Sequence, residues 1–417
     1  MRGLFEIFAL ELKALVRSKT LAMLTVSAVT WMLALPRFLK GDGTADGARE
    51  LYIRFSLGGV FLLLVIALLA SATGSLARER AAKRLQLVMV RPVRCFSIFF
   101  GKFLAHVAVG ALVMSVACVT LAFMCPEDRP CNHVLSPLLP PPRESAKRMY
   151  DLYMQDEKTP EAVKKTKKEI VLRLLENREA DRYQVLETNE TARWRFEGLG
   201  DLGGLAVRLR FTNQYEMRQD VRGLFRLGGC TGVVSNITQA VVTVPLGGGE
   251  RGAADELMFE NRGASALMLR PRKDIHLLIP ADGFRVNLLR TYVALVSILA
   301  LVIAFGLFLS SGLGRPVALF VAFVTLVVGE MSPSVVEQYP DELETKLSDR
   351  IGLVITRTTA LVTRPVSAAA PLEAVAKDEC VEPSAVLNLA ATGLIFAPLL
   401  LALLSAAILP RKQDDLV

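Results

Sequence analysis

Long uncharged, apolar runs alternate with charged segments along this chain. A transmembrane helix needs about 20 predominantly apolar residues to cross a hydrocarbon core of roughly 30 Å, because every backbone group must be paired inside the helix. Runs of this kind occupy residues 20–36, 55–77, 103–126, 291–314, 316–329 and 383–410. The pattern predicts a polytopic α-helical membrane protein with six transmembrane helices.

Two ionisable residues lie near the ends of these runs. The fifth run reaches spanning length only if it continues past Glu330 to about residue 333. A charge at the bilayer centre costs about 3 kcal/mol on insertion scales, so we expect Glu330 at an interface, the alternative being a carboxylate that lines a pathway. His106 lies in the first turn of the third run and is predicted to be interfacial rather than a proton relay.

Residues 3–18, before the first run, have the period of an amphipathic helix. Polar Glu6, Lys13 and Arg17 share one face, and Glu11 falls outside it. The opposite face is apolar and consists of Leu4, Ile7, Phe8, Leu12, Leu15 and Val16. This pattern predicts a helix lying in the membrane interface, the alternative being an extension of the first span. No cleavage site of the A-x-A type follows, so we expect an uncleaved anchor.

Residues 127–288 have the mixed composition of a soluble α+β domain. Charged, helix-forming residues at 143–178 are interrupted at Thr159-Pro160, where threonine suits an N-cap and proline the first helical position. Short alternating runs separated by turn signals at 192–288 predict an antiparallel β-sandwich. A second outer segment, 332–382, contains the stretch 349–365, which is too short and too charged to span and is expected to pack on the outer face or lie in the interface.

The distribution of basic residues predicts the orientation. Cytoplasmic loops are enriched in Lys and Arg, and the loop between the second and third runs is the richest. Basic residues at both termini place both ends on the same side, in agreement with an even number of spans. We therefore predict a multi-pass protein of the cytoplasmic (inner) membrane, with spans at 1–126 and 289–417 and an extracytoplasmic domain at 127–288.

Four cysteines would then lie on the outer side, where disulfides persist: Cys125, Cys131, Cys230 and Cys380. Cys125 and Cys131 are close enough in sequence to close a small loop, which would leave Cys230 and Cys380 as partners. Four free thiols are the alternative, because the sequence does not fix connectivity.

Charge and motif content argue against several function classes. The net charge of +8 arises from basic residues spread along the flanks of the apolar runs, which argues against nucleic-acid binding. Neither the three histidines nor the six cysteines have zinc-type spacing, so no metal site is expected. The chain has no G-x-x-x-x-G-K-[ST] phosphate loop and no hydrolase motif, so we expect no cofactor and no enzyme activity in it.

The most informative segment, residues 74–105, joins the second and third spans and reads GSLARERAAKRLQLVMVRPVRCFSIFFGKFLA. A charged stretch is followed by an apolar LQLVMV run, an Arg-Pro break and a Gly-Lys pair before the next span. A protruding segment of this kind, held between two spans, suits the transmission of force from a soluble partner. The alternative is a loop whose basic residues only set topology.

This segment resembles the coupling segment of ABC-2 type transporter permeases. The Arg78-Glu79 pair, the Arg91-Pro92-Val93 break and the Gly101-Lys102 re-entry match the family pattern, while Ala82-Lys83-Arg84 replaces its usual Gly-Thr. The amphipathic segment is similar to the family's elbow helix. The residues that the resemblance assigns to coupling are Arg78, Glu79, Arg80, Lys83, Arg84, Leu85, Arg91, Pro92, Val93, Gly101 and Lys102.

The resemblance implies a permease subunit, most simply of an exporter, that forms a homo- or heterodimer in the lipid bilayer. It also implies a separate cytoplasmic ABC ATPase subunit that binds ATP. The large domain between the third and fourth spans is an addition that only some members carry. The alternative function is a membrane-anchored envelope receptor or assembly scaffold, whose outer domain binds a partner and whose spans only hold it.

Overall fold

The computed structural model describes residues 2–39, 45–81, 95–126, 129–155, 168–197, 204–212, 220–238, 241–247, 255–338 and 369–414. The chain divides into two compact units. One comprises Met1–Arg129 with Gly283–Val417, and the other comprises Pro130–Asp282.

The helices of the first unit precede and follow the inserted second unit in sequence. In chain order the helices are α1 (Arg2–Arg17), α2 (Thr20–Phe38), α3 (Ala45–Ala81), α4 (Cys95–Met124), α5 (Pro142–Gln155), α6 (Lys168–Ala180), α7 (Phe284–Gly312), α8 (Arg315–Gln338), α9 (Ala369–Ala376), α10 (Pro383–Ala390) and α11 (Ala397–Asp414). A π-helical segment, Ala391–Phe396, joins α10 to α11. Helices α5 and α6 belong to the second unit.

Five helical segments are long and apolar enough to cross a membrane within the described residues: Leu21–Phe38, Gly47–Glu79, Phe96–Met124, Phe284–Gly312 and Pro383–Ser405. The expected run 316–329 lies in α8, where the part with described side chains, Arg315–Val327, is apolar but shorter than a span. The chain is therefore a polytopic membrane protein with five such segments, and the sixth span stays a prediction.

Helix α7 is the central helix of this unit and the most deeply buried of the five apolar segments. It contacts α3, α4 and α11 along its length. Gly393 in the π-helical segment allows the closest approach, because a Cβ atom there would lie 2.3 Å from the carbonyl oxygen of Ser297 in α7. The π-helical segment of the last span therefore lies in close contact with the backbone of α7. Short π-helical segments inside α-helices are frequent at functional sites.

Side-chain contacts also fix the residues that lead into α10. Buried Asn287 donates from Nδ2 to the carbonyl oxygen of Glu379 at 2.7 Å and accepts at Oδ1 from the Val381 N–H at 2.8 Å. Arg49 forms a 2.7 Å ion pair with Asp378. The first turn of α7 and the start of α3 therefore hold the short connection between α9 and α10.

The disulfides differ from the pairing that sequence spacing suggests. Cys131 and Cys380 are each disulfide-bonded, whereas Cys125 and Cys230 carry thiols. The expected pairing of Cys125 with Cys131 is wrong because Cys125 continues the last turn of α4 and packs against the helical core. The pairing of Cys230 with Cys380 is wrong as well, since Cys230 begins a β-strand and packs against the core of the second unit.

The described residues of the second unit form two four-stranded sheets and a two-stranded sheet. Its strands are β1 (Pro130–Leu135), β2 (Gln184–Leu186), β3 (Thr191–Arg195), β4 (Ala206–Arg210), β5 (Asp220–Leu227), β6 (Cys230–Ile237), β7 (Val241–Pro245), β8 (Glu256–Asn261), β9 (Leu267–Leu269) and β10 (Ile275–Gly283). The sheets have the orders β1-β10-β4-β7, β3-β8-β5-β6 and β2-β9.

The buried side chains of both larger sheets form one hydrophobic cluster. Phe259 lies at its centre, with ring centroids 4.6 Å from Phe225 and 5.0 Å from Phe211. Every pair of strands whose register is defined is antiparallel. An antiparallel β domain between the helices is therefore confirmed, and two sheets that share a core agree with a sandwich.

The predicted helical region contains α5 and α6, which pack together through Ala146, Val171 and Leu175. The predicted break at Thr159-Pro160 and the outer stretch 349–365 lie outside the described residues. The sequence interpretation missed the β5–β6 hairpin, whose strands each contain a glycine and therefore resemble turn sequence.

Asn261 at the end of β8 is fully buried and joins two loops of this domain, the one after β2 and the one between β8 and β9. Its two Nδ2–H groups donate to the carbonyl oxygens of Leu186, Glu187 and Ser265 at 3.0–3.2 Å, so one N–H is shared between two acceptors, and its Oδ1 accepts from the Gly263 N–H at 3.0 Å. No isosteric apolar side chain can satisfy these four backbone groups.

Asn261→Ala is expected to lower the free energy of unfolding of the β domain by about 3 kcal/mol, because it leaves several buried backbone groups unpaired. Hydrogen exchange of the β5 and β8 amides in the full-length protein measures the loss. Asn177→Ala, on the exposed face of α6, is the control and should change protection by less than about 0.5 kcal/mol. Equal protection in the two variants would contradict the role given to Asn261.

Candidate functional site

Helix α1 has three distinct faces. Ile7, Phe8, Leu12 and Leu15 pack against the helical core. The predicted polar stripe of Glu6, Lys13 and Arg17 is exposed. A third face is apolar and also exposed, with Phe5 at 70% and Val16 at 51% of their full accessibility. This arrangement suits a helix that contacts the bundle, the acyl chains and the headgroups at the same time.

Gly101 permits α1 to lie close to α4. A Cβ atom at position 101 would come within 2.8 Å of the Ile7 side chain and within 3.1 Å of the Phe8 backbone nitrogen. Any larger residue would push the two helices apart. The Gly-Lys pair of the sequence motif therefore contributes both a close contact, through Gly101, and a charge, through Lys102.

Lys102 is the centre of a buried polar cluster, with only 3% of its side chain exposed. Its Nζ donates to Glu11 Oε2 at 2.8 Å, to Glu79 Oε1 at 2.8 Å and to Ser75 Oγ at 2.9 Å. These partners lie on α1 and on the last turns of α3. One ammonium group thus uses its three donors to join three helices.

His106 extends the cluster by one helical turn. Its Nδ1 lies 2.8 Å from the Lys102 carbonyl oxygen, and its Nε2 lies 3.1 Å from Ser71 Oγ. A carbonyl oxygen can only accept, so Nδ1 carries the proton and Nε2 accepts from the serine hydroxyl in the neutral ring. His106 is fully buried where α4 packs against α3, and its expected interfacial level in the membrane stays a prediction. We call Glu11, Ser71, Ser75, Glu79, Lys102 and His106 the Lys102 cluster.

The charges of the cluster differ in their access to water. The Glu79 side chain is 35% exposed, whereas the Glu11 side chain is 15% exposed. Burial alone would raise the pKa of Glu11, but attraction to the Lys102 ammonium and the hydrogen bond from it outweigh burial and lower that pKa below its ordinary value of 4.5. Glu11 is therefore a carboxylate at neutral pH, and it compensates a cation within an apolar helix.

The structure brings together only some of the residues assigned to coupling. Glu79, Gly101 and Lys102 meet at the Lys102 cluster, while Arg78 donates from Nε to the carbonyl oxygen of Gly74 at 2.8 Å. Arg80 is in α3, and its side chain lies outside the described residues, as does the segment 82–94. The coupling residues in that segment are Lys83, Arg84, Leu85, Arg91, Pro92 and Val93.

The sequence interpretation missed Glu11, Ser71, Ser75 and His106 as members of one site. Glu11 carried a usable signal, because it interrupts the apolar face of an amphipathic helix. That position faces the bundle, where a carboxylate requires a partner. The serines carried no signal, since their hydroxyls are common in transmembrane helices and commonly bond the preceding turn.

Within the described residues, no group of histidine, cysteine and acidic side chains is arranged to hold a metal ion. The cluster combines one ammonium with two carboxylates and has no exposed nucleophile. Its chemistry is therefore that of an electrostatic connection between helices.

Comparison with family models, curated proteins and solved structures finds no match for this chain.

Lys102→Met is expected to destabilise the helical unit by about 3 kcal/mol, because it leaves two carboxylates close together without a cation. The triple variant Lys102→Met, Glu11→Gln, Glu79→Gln should recover much of this loss, since it buries no unpaired charge. Denaturant titration in mixed micelles measures both values, and Lys13→Met on the exposed stripe of α1 is the control. A triple variant as unstable as Lys102→Met would show that the carboxylates are not what the lysine compensates.

The ion pair of Glu11 also predicts a pH dependence. A carboxylate with a lowered pKa in the folded state stabilises the fold at pH values above its unfolded pKa, and this contribution disappears as the pH falls through the folded pKa. The difference in melting temperature between the unchanged protein and Glu11→Gln should therefore be constant above about pH 5.5 and should shrink below pH 4.5. Thermal unfolding followed between pH 7 and pH 3 tests this, and a constant difference over the whole range would contradict it.

Proposed function

We propose that this protein is the transmembrane permease subunit of an ATP-driven ABC-2 type transporter and that a separate cytoplasmic ATPase powers it. The observation that carries the proposal is the Lys102 cluster. Glu79 precedes the segment 82–94 and Lys102 follows it, so their 2.8 Å ion pair joins the two ends of the predicted coupling segment. Glu11 attaches the same point to the amphipathic helix that resembles the family's elbow helix.

The proposed direction of force follows from these contacts. A partner that moves the segment 82–94 would pull on the ends of α3 and α4 together, since the ion pair resists their separation. The same movement would reach α1 through Glu11 and through the close contact at Gly101. Helix α7 packs against both α3 and α4 and would carry the shift across the bundle.

The positions of the disulfide-bonded cysteines support the proposed orientation. Cys131 follows the end of α4, and Cys380 precedes α10, whereas Lys102 lies near the start of α4. Disulfides persist outside the cytoplasm. We therefore propose that the end of α4 opposite to Lys102 faces the outside, together with the β domain. The segment 82–94 and the two chain termini would then lie in the cytoplasm.

Purification of the tagged full-length protein from its native membrane in mild detergent, with identification of every copurifying chain, tests the proposal. We expect an ABC ATPase in stoichiometric amount and ATP hydrolysis that depends on both chains. A receptor or scaffold would copurify with an envelope partner and would have no ATPase. That second result would replace the permease assignment with the scaffold function.

Glu79→Ala combined with Arg80→Ala is expected to uncouple ATP hydrolysis from movement of the bundle. In the reconstituted complex, hydrolysis should persist, while the ATP-dependent change in hydrogen exchange of α1 and α4 should fall several-fold. Glu144→Ala, an exposed residue of α5, serves as the control for the loss of a carboxylate. The variant Glu11→Gln distinguishes the two helices, because it removes the ion pair to α1 and should reduce the ATP-dependent change in α1 while that in α4 persists.

An unchanged ATP-dependent exchange pattern in the Glu79→Ala, Arg80→Ala variant would contradict the proposed coupling role. An equal loss in Glu11→Gln and in the double variant would assign the effect to the stability of the cluster as a whole.

A further inference from the structure

Two arginines from different helices converge on Gly74, one turn before the end of the apolar part of α3. A Cβ atom at position 74 would lie 3.1 Å from Arg315 Nε and 3.4 Å from Arg78 Nη2. The two guanidinium groups therefore flank one point, and the missing side chain of Gly74 provides the space for them. Arg78 comes from α3 and Arg315 from the first turn of α8.

Neither guanidinium group has an acidic partner in the part of the chain that the structure describes. Glu11 and Glu79, the two carboxylates of the Lys102 cluster, are both bound to Lys102. The first turn of α8 contains no acidic residue. Arg78 uses Nε for the carbonyl oxygen of Gly74, which leaves its terminal nitrogens, like the whole Arg315 guanidinium, available to an anion.

The sequence places this pair at the boundary of the hydrocarbon core. Arg78 is the first charged residue after the apolar run 55–77, and Arg315 immediately precedes the apolar run 316–329. Both side chains are exposed. The apolar side chains of Val317 and Phe320, which follow Arg315 on α8, are exposed as well and suit contact with acyl chains. The guanidinium groups would thus lie at the level of the lipid phosphates.

We propose that Arg78 and Arg315, whose guanidinium groups meet over Gly74, form a binding site for the phosphate group of an anionic phospholipid. Guanidinium groups bind phosphate oxygens through paired, charge-assisted hydrogen bonds. Basic side chains next to a membrane span are attracted to anionic headgroups, and two of them on different helices can share one phosphate. Bound lipid would then connect the end of α3 to the start of α8. The lipid site requires no ATPase partner, so its test is independent of the test of the transport function.

The test uses the full-length protein, delipidated in detergent and titrated with phosphatidylglycerol or phosphatidylcholine. Native mass spectrometry counts the retained lipids, and thermal unfolding measures the accompanying stabilisation. We expect one phosphatidylglycerol to be retained in preference to phosphatidylcholine. The double variant Arg78→Gln, Arg315→Gln should weaken its binding roughly thirtyfold, given two basic residues near an anionic headgroup.

The control is the double variant Lys13→Gln, Arg17→Gln, which removes the same charge from the exposed stripe of α1 and should leave phosphatidylglycerol binding within twofold. Equal losses in the two double variants would overturn the site in favour of general electrostatic attraction. A second arm adds inorganic phosphate alone. Stabilisation by phosphate that equals stabilisation by the lipid, and that is lost in Arg78→Gln, Arg315→Gln, would assign the pair to a free anion and overturn the lipid proposal.

Discussion

The helical unit depends on the compensation of one buried cation. Lys102 lies within a helix that is otherwise apolar enough to span a membrane, and an isolated ammonium there would be strongly unfavourable. Glu11 and Glu79 supply two carboxylates at 2.8 Å, and Ser75 Oγ accepts the third hydrogen bond from the ammonium group. Because these groups come from α1 and α3, satisfying the lysine requires all three helices in their observed positions. The charge therefore selects one packing among the many that apolar surfaces alone would permit.

Close helix contacts make this compensation geometrically possible. The Lys102 ammonium reaches Glu11 only if α1 lies almost in backbone contact with α4, which Gly101 allows. Farther along the bundle, Gly393 allows the π-helical segment to contact the backbone of α7. A glycine next to a buried charge and a glycine in an irregular helix have the same effect. Each lets two helices approach closely enough for polar or backbone atoms to determine their register.

Hydropathy predicted the long apolar helices because spanning length and absence of charge are local properties of the sequence. It also predicted the amphipathic character of α1.

The site depends on contacts between residues far apart in sequence, so only Glu79, Gly101 and Lys102 were found, through a resemblance. The burial of His106 was not predicted because it depends on α3, which the sequence near it does not show. Cys125 was misassigned because spacing does not show that the helix continues through it. The β5–β6 hairpin was missed because its glycines resemble turn sequence. The cross-strand pairing that makes them part of strands is not a local property of the sequence.

The two ends of α4 impose different chemistry on the segments that adjoin them. At one end, ion pairs hold α1, α3 and α4 together, and the attraction can be broken and formed again as charges separate or protonate. At the other end, Asn287, the Arg49–Asp378 pair and the disulfide-bonded Cys380 fix the connection into α10 by directional and covalent bonds. The ion pairs that join α1, α3 and α4 at the Lys102 end both pass through one ammonium group, so the loss of that charge would remove both of them at once. The connection into α10 is held by independent contacts, and the loss of one would leave the others in place.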